Sequence, residues 1–214
     1  MSRSCQRATF SSAGIAAART TRDYLENIKK QGHGSVLEHA TYSLLFEGIS
    51  RSLTHELVRH RAGFAYSQLS QRYVDESDAA FVVPPSIIGD DTLMQAWQSQ
   101  IESAQASYVA LVAELMERYK WVEDRVHRRK MAREAARGVL PNSTETKIVV
   151  TANVRAWRTM LELRSSEGAE FEIRRMAVAT LRIMQQEAPG LFSDFEVYVA
   201  PDRAEAARIG YHKI

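Results

Sequence analysis

The stretch "ETKIVVTAN" (residues 145–153), running without a break into "VRAWRTMLELRSS" (154–166), decides the fold. Its first nine residues have the β-branched density of a buried strand, and the rest falls into helical period. Toward the C-terminus, "GAEFEIRRMAVATLRIMQQEAP" (168–189) predicts a further helix, closed by Pro189. Toward the N-terminus, "VEDRVHRRKMAREAARGVL" (122–140) predicts a helix that stops before Pro141. "DDTLMQAWQSQIESAQASYVALVAELMERYK" (90–120) predicts the longest helix, capped by Asp91 or Thr92. Leu93, Trp97, Ile101, Tyr108, Leu111, Val112 and Leu115 would form its apolar face. "FVVPPSII" (81–88) is a short extended run stopped by Pro84 and Pro85. "SRSLTHELVRHR" (50–61) reads as a helix with Leu53, Leu57 and Val58 facing inward, and "ATYSLLFEGI" (40–49) as a strand. "TTRDYLENIKKQGHG" (20–34) reads as a short helix with Thr and Asp at its start. Strands interleaved irregularly with long helices predict an α+β fold, an antiparallel sheet packed with helices. No repeat or linker divides the chain, so residues 1–214 are expected to form a single domain. Its ends, 1–20 and the charged, alanine-rich 201–214, are expected to be loosely packed.

Bulk properties narrow the function. The chain is 45% hydrophobic and 25% charged, with a formal charge of +2, so a nucleic-acid role would need a concentrated basic patch. Cys5 is the only cysteine, which excludes an intramolecular disulfide and fits a reducing cytoplasm. No run approaches the roughly 20 apolar residues of a membrane helix. The N-terminal segment is polar and broken by arginines, unlike a secretory signal; its Arg and Ser content superficially suits a transit peptide, but its apolar content is mostly alanine.

The chemistry concentrates in "RHRAGFAYSQLSQRY" (59–73), with three arginines, a histidine, two serines and two tyrosines. Arg59, His60 and Arg61 at a helix end are favoured by the helix dipole whatever their function. Gly63 permits an unusual backbone angle, and "SQLSQR" then offers hydroxyls, amides and Arg72 in a segment too polar for a core. Serine hydroxyls, backbone donors and an arginine fork together make an anion cradle. Glu56 stands one turn before Arg59 and His60, placed either for a salt bridge or to accept a hydrogen bond from a sugar or base. Arg137, Arg155 and Arg164 also stand near element ends; an arginine among leucines also snorkels without binding anything. Six such arginines together suggest a site for more than one phosphate. His33, His39, His55 and His60 match no zinc spacing, so no metal is expected. A "GxSxG" elbow, a "GxGxxG" turn and a P-loop are all missing.

These motifs resemble the flavin-dependent thymidylate synthases. The family signature is RHR, seven or eight residues, then Ser; here "RHR", "AGFAYSQL" and Ser70 give the eight-residue form. "GHGSVLEH" upstream and "EAARGVLPNSTET", "NVRAW" and "LRSSEGAEFEIRR" downstream follow in family order, over about residues 20–196. The resemblance implies reductive methylation of dUMP to dTMP, with methylenetetrahydrofolate as carbon donor and FAD, reduced by NADPH, as hydride source. It also implies a cytoplasmic homotetramer with active sites shared between subunits, and neither a membrane nor a nucleic-acid partner. Carried over, Glu56, Leu57, Val58, Arg59, Gln68, Leu69, Ser70, Gln71, Arg72, Arg137 and Arg164 would bind dUMP. Ser35, Glu38, Arg59, His60, Arg61, Gln68, Asn153, Val154, Arg155 and Thr159 would bind FAD, and His33 would lie on the flavin or folate side. Arg164 would be the catalytic residue, stabilising negative charge on the uracil ring. Ser70 is a nucleophile on paper, but its arginine-rich setting suits phosphate binding better.

The chain departs from the family in three places. The usual opening strand is missing before residue 21, Thr159 stands where Asn or His is general, and Gly168 stands where His is common. The alternatives are a paralogue methylating or hydroxymethylating another uridine nucleotide such as UMP, a catalytically dead relative, and a non-enzymatic nucleic-acid-binding protein.

Overall fold

The decisive stretch folds as its composition demands. Strand β3 (Glu145–Asn153) alternates buried Thr146, Ile148, Val150 and Ala152 with outward residues, and helix α5 (Val154–Arg164) follows at once. The Asn153 side chain makes the switch, its Oδ1 accepting from the Ala156 main-chain N–H at 2.8 Å. The computed structural model describes residues 20–212, and the N-terminal segment and the expected looseness of residues 1–19 lie outside them.

β3 is the centre of a three-stranded antiparallel sheet in the order β1-β3-β2, with β1 spanning Thr41–Ser50 and β2 Phe64–Gln68. In register, Ala152 faces Tyr42 on one side and Phe64 on the other. Helix α1 (Thr21–Lys30), capped reciprocally by Thr20 and Asp23, precedes β1. Helix α2 (Arg51–Leu57) connects β1 to the turn before β2. Helices α3 (Asp91–Arg118) and α4 (Arg125–Ala136) pack against each other, and α6 (Phe171–Glu187) packs on α5. A short helix, α7 (Pro189–Phe192), leads to a hairpin of β4 (Phe195–Val199) and β5 (Glu205–Ile209). Trp157, Leu161, Ile173, Leu181 and Phe192 are among the residues of one core between the sheet, α5 and α6. The α+β architecture with an antiparallel sheet is therefore as expected.

Four expectations need correction. The C-terminal segment is not loose: Ala206, Ala207 and Ile209 are buried, and the Ala207 N–H bonds the Ser165 carbonyl at 2.8 Å. Ala206 and Ala207 fill two buried positions of this strand with small side chains. Asp90, rather than Asp91 or Thr92, caps α3, accepting from the N–H groups of Thr92 and Leu93. Only Ile101 and Tyr108 of the α3 stripe are buried, while Leu93 and Leu111 stay exposed. Finally, α2 stops at Leu57 and leaves Val58 exposed, because the N–H groups of Arg59 and His60 reach back only three residues, to Glu56 and Leu57.

Candidate functional site

The turn after α2 and the end of α5 meet. Arg164, the last residue of α5, donates from Nη1 to Glu56 Oε2 at 2.6 Å and from Nε to His60 Nε2 at 2.9 Å. Its Nη2 reaches the Glu56 carbonyl at 3.3 Å. A guanidinium has no lone pair to offer, so His60 Nε2 is an acceptor. Burial, and then the Arg164 charge, push the His60 pKa down to about 4. The ring is therefore neutral near pH 7 with its proton on Nδ1. Tyr66, in β2, donates its hydroxyl towards the carbonyls of Leu57 (2.9 Å) and His60 (2.5 Å), and burial raises its pKa to about 12.

His60 also borders a cleft of about 390 Å³, shared with Glu38, Arg61, Asn153, Arg155 and Thr159. Gly63 lies on its wall at φ +76°, where a Cβ would come within 2.9 Å of Asn153 Nδ2 and 3.0 Å of Ala156 Cβ. Glycine is thus required twice there, by conformation and by space. Arg155 pairs with Glu38 at 2.6 Å. The Thr159 hydroxyl bonds back to the Arg155 carbonyl at 3.1 Å.

A second cluster lies past the other end of β2. The Leu69 N–H bonds the Lys147 carbonyl at 2.9 Å, and the Ser70 carbonyl accepts from Tyr73 and Val74. The Ser70 hydroxyl accepts from the Arg72 N–H at 3.4 Å, and Arg72 pairs with Glu134 of α4 at 2.7 Å. Gln71 is buried, and its Nε2 has no hydrogen-bond partner among the described residues; neither has the buried Nε of Arg72. Arg137 is half-buried and its guanidinium makes no hydrogen bond or ion pair among the described residues. Arg51 joins this cluster: burial first, and Arg137 after it, lower its pKa, against the opposing charge of Glu76. Burial pushes the Glu76 carboxyl up, with Arg51 and Arg133 acting the other way. Sequence reading missed Arg51, whose only signal was its place at a helix start, where a cation is disfavoured. It missed Tyr66 as well.

The expected residues are therefore sorted into two groups. Glu56, His60 and Arg164 touch, with Glu38, Arg61, Asn153, Arg155 and Thr159 around the adjoining cleft. Leu69, Ser70, Gln71, Arg72 and Arg137 belong to the other end. Leu57 and Val154 do not fit as ligand contacts through their side chains, because both are fully buried in the core. Gln71 and the partly buried Gln68 correct the view of "SQLSQR" as too polar to bury; Gln68 Nε2 sits between the hydroxyls of Thr54 (3.1 Å) and Thr146 (3.3 Å). Ser35 and His33 are exposed and lie outside the cleft lining, and Arg59 is exposed. Among the described residues, no three His, Cys, Asp or Glu side chains are grouped to hold a metal ion, and no helix is long and apolar enough to cross a membrane.

The sequence model of the thymidylate synthase complementing protein family matches residues 1–190, so the likeness starts well before residue 20. The flavin-dependent thymidylate synthase of Mycobacterium sp. (strain JLS) is 51% identical over 192 residues, covering 88% of this chain and 75% of that protein. Those of Mycobacterium avium (strain 104) and Mycobacterium tuberculosis (strain ATCC 25177 / H37Ra) are each 50% identical over 188 residues, with the same coverage. With half its residues shared across nearly its whole length, the chain belongs to the flavin-dependent thymidylate synthase family.

Proposed function

We propose that this protein converts dUMP to dTMP by reductive methylation, with methylenetetrahydrofolate as carbon donor and NADPH as the source of electrons through FAD. The observation that carries the reading is the pair of orphaned donors, Gln71 Nε2 and Arg72 Nε, buried at the end where Arg137 and Arg51 lie. Leaving a buried donor unpaired costs about 1–3 kcal/mol, and a nucleotide phosphate with several acceptor oxygens relieves both. The Ser70 hydroxyl, already oriented by the Arg72 N–H, adds a donor to the same anion.

Arg164 is the catalytic residue in this reading. Glu56 and His60 hold its Nη1 and Nε, while Nη2 has only the long 3.3 Å contact to a carbonyl. That last donor is the one free to meet the uracil ring and stabilise negative charge on its nitrogen and carbonyl. A neutral His60 fixes the guanidinium without adding a competing charge. No side-chain nucleophile is required, and Ser70 serves the phosphate.

The cleft beside His60 fits part of a flavin dinucleotide. Arg61 and Arg155 offer cations for its pyrophosphate, and Gly63 against Asn153 allows close approach of the main chain. A flavin held there would supply the reducing equivalents for turning a transferred methylene into a methyl group.

The two clusters lie past opposite ends of β2, whose first and last Cα atoms are about 13 Å apart. We place each dUMP between the Arg164 end of one copy and the Gln71–Arg72 end of another, in a cytoplasmic homotetramer. The exposed Leu93, Val109 and Leu111 of α3 supply apolar surface for such an assembly.

The test is anaerobic reduction of the FAD-loaded protein by NADPH, followed by absorbance with dUMP, with UMP and with neither, and product analysis after adding methylenetetrahydrofolate. Flavin bleaching accelerated by dUMP, together with dTMP formation, is the expected result. Acceleration by UMP alone would move the substrate to another uridine nucleotide, and failure to bind FAD would overturn the reading.

A further inference from the structure

We propose that Tyr66 is a positioning residue for Arg164, acting through the 57–60 turn and the His60 imidazole. The inference rests on the catalytic role given to Arg164 above. Tyr66 sits in the middle of β2, opposite Val150 of the central strand. Its hydroxyl lies within hydrogen-bond distance of two carbonyls, Leu57 at 2.9 Å and His60 at 2.5 Å. Those are the last carbonyl of α2 and the carbonyl of the residue that receives Arg164. One phenol proton shared between them closes the turn across its ends, beside the His60 N–H that the Leu57 carbonyl also accepts at 3.1 Å.

The ring is held as firmly as the hydroxyl. Tyr66 stacks on Phe64 with centroids 5.7 Å apart and planes 3° from parallel, and Phe64 meets Trp157 edge-on at 5.4 Å and 71°. Trp157 is fully buried in α5, and its indole N–H donates to the Tyr42 carbonyl at 3.2 Å. The helix that ends in Arg164 and the turn that carries His60 are thus fixed to one aromatic frame. The His60 ring itself lies 6.0 Å from Phe64. Glu56 supplies charge to hold Arg164, but a carboxylate accepts from many directions. The Nε–Nε2 bond is the one that sets the rotation of the guanidinium plane, and it survives only while His60 presents a bare Nε2. Burial, and then the Arg164 charge, disfavour the imidazolium, so the acceptor persists throughout the neutral range.

The test uses the full chain loaded with FAD and compares Tyr66→Phe with the parent. Phenylalanine keeps the stack on Phe64 and removes only the hydroxyl. We expect kcat for dTMP formation to fall about three- to tenfold, the kinetic equivalent of one lost hydrogen bond. The dUMP dissociation constant should move by less than about twofold, since the change acts on the transition state rather than on uniform binding. In an Arg164→Lys background, Tyr66→Phe should cost nothing further, because residues that act through one another are not additive. An equal loss in both backgrounds would assign Tyr66 a general structural role and overturn the proposal. Nitrogen NMR of His60, labelled in the same protein, reads the frame independently of turnover. The parent should show the proton on Nδ1 and none on Nε2 between about pH 6 and 9, and Tyr66→Phe should show a mixture of tautomers. A parent protonated on Nε2, or identical spectra for both proteins, would sink the idea. Arg164→Ala separates the two claims: full turnover in that variant, with the His60 spectra as expected, would mean that the role of Arg164 is wrong while the frame is right.

Discussion

The two ends of β2 differ in how much of their polar chemistry is already spent. At the Phe64 end, Arg164, Glu56, His60 and Tyr66 satisfy one another within one chain. At the Gln68 end, Gln71 and Arg72 each bury a donor with no partner among the described residues, and Arg137 and Arg51 crowd charges of like sign. The first arrangement is what preorganised charge looks like: its geometry is fixed before substrate arrives. The second holds unmet hydrogen-bonding capacity, which in the proposed reading an incoming anion relieves. On this contrast, substitutions at the first end should harm the free protein and the reaction together. At the second end they should harm binding while sparing the free protein.

The largest effect is expected outside both ends and serves as their control. The Asp194 side chain is only 7% exposed and accepts from Arg158 Nη1 and Nη2 at 2.7 Å and from Lys29 Nζ at 3.3 Å, joining α1, α5 and the approach to β4. Removing one member of such a buried pair leaves an uncompensated charge and costs about 3–5 kcal/mol, so Asp194→Ala should lower the unfolding free energy by that order in a denaturant titration. Burial alone would raise the Asp194 pKa, but the Arg158 hydrogen bonds and charge, with Lys29, hold it below the usual carboxylate value. Its contribution is therefore fully present above the unfolded pKa near 3.8 and is lost as pH falls through the lower folded value. The melting temperature of the parent should drop below about pH 4, and the variant should show a flatter profile.

Arg164→Ala comes next. Removing a donor aimed at developing charge typically costs about 10²–10³ in kcat. The same change strips Glu56 of its partner, so it should also lower the melting temperature. A variant with normal kcat would break the comparison at its first end.

Arg164 also marks the limit of what is legible in the sequence. The β3–α5 junction was legible because β-branched residues, a capping Asn and helical period agree at one point. Arg164 was legible through its motif, but its bond to His60 joins residues 104 apart in sequence and has no periodic signature. β2 is hard to read because only five residues, Phe64–Gln68, alternate between half-buried and exposed positions directly after the charged "RHR". β5 was illegible because an alanine-rich segment carries no strand signature, whereas β4 (Phe195–Val199) has aromatic and β-branched strand composition and only its pairing with β5 is hidden in the sequence. Arg51 was invisible for the opposite reason, since a lone cation at a helix start carries no pattern at all.

Gln71→Leu is expected to have an intermediate effect, and of opposite sign in its two readouts. The substitution removes a buried donor that has nothing to bond, so the free protein should be as stable as the parent or gain up to about 1 kcal/mol. The dUMP dissociation constant should rise about tenfold, the loss of one charge-assisted hydrogen bond. Calorimetry on one protein preparation gives both numbers. Loss of stability with unchanged affinity would mean that Gln71 is a packing residue and that the second end is not waiting for a ligand.

The smallest effect is expected at Gly168, in the turn between α5 and α6, where the family commonly has histidine. A Cβ there meets nothing within 4 Å, and the residue is not on the wall of the cleft beside His60. Gly168→His should therefore change stability by less than about 0.5 kcal/mol. Because Gly168 is off the cleft lining of its own chain, the effect of the new imidazole on flavin content asks whether a second copy brings its own cleft against this turn. Titration of the purified variant with FAD decides it. Unchanged affinity would mean that the turn stays in solvent in the assembled protein, and the departure from the family residue has no consequence for the flavin. A rise in affinity would place Gly168 at a junction between copies and extend the first end of the site across a subunit boundary.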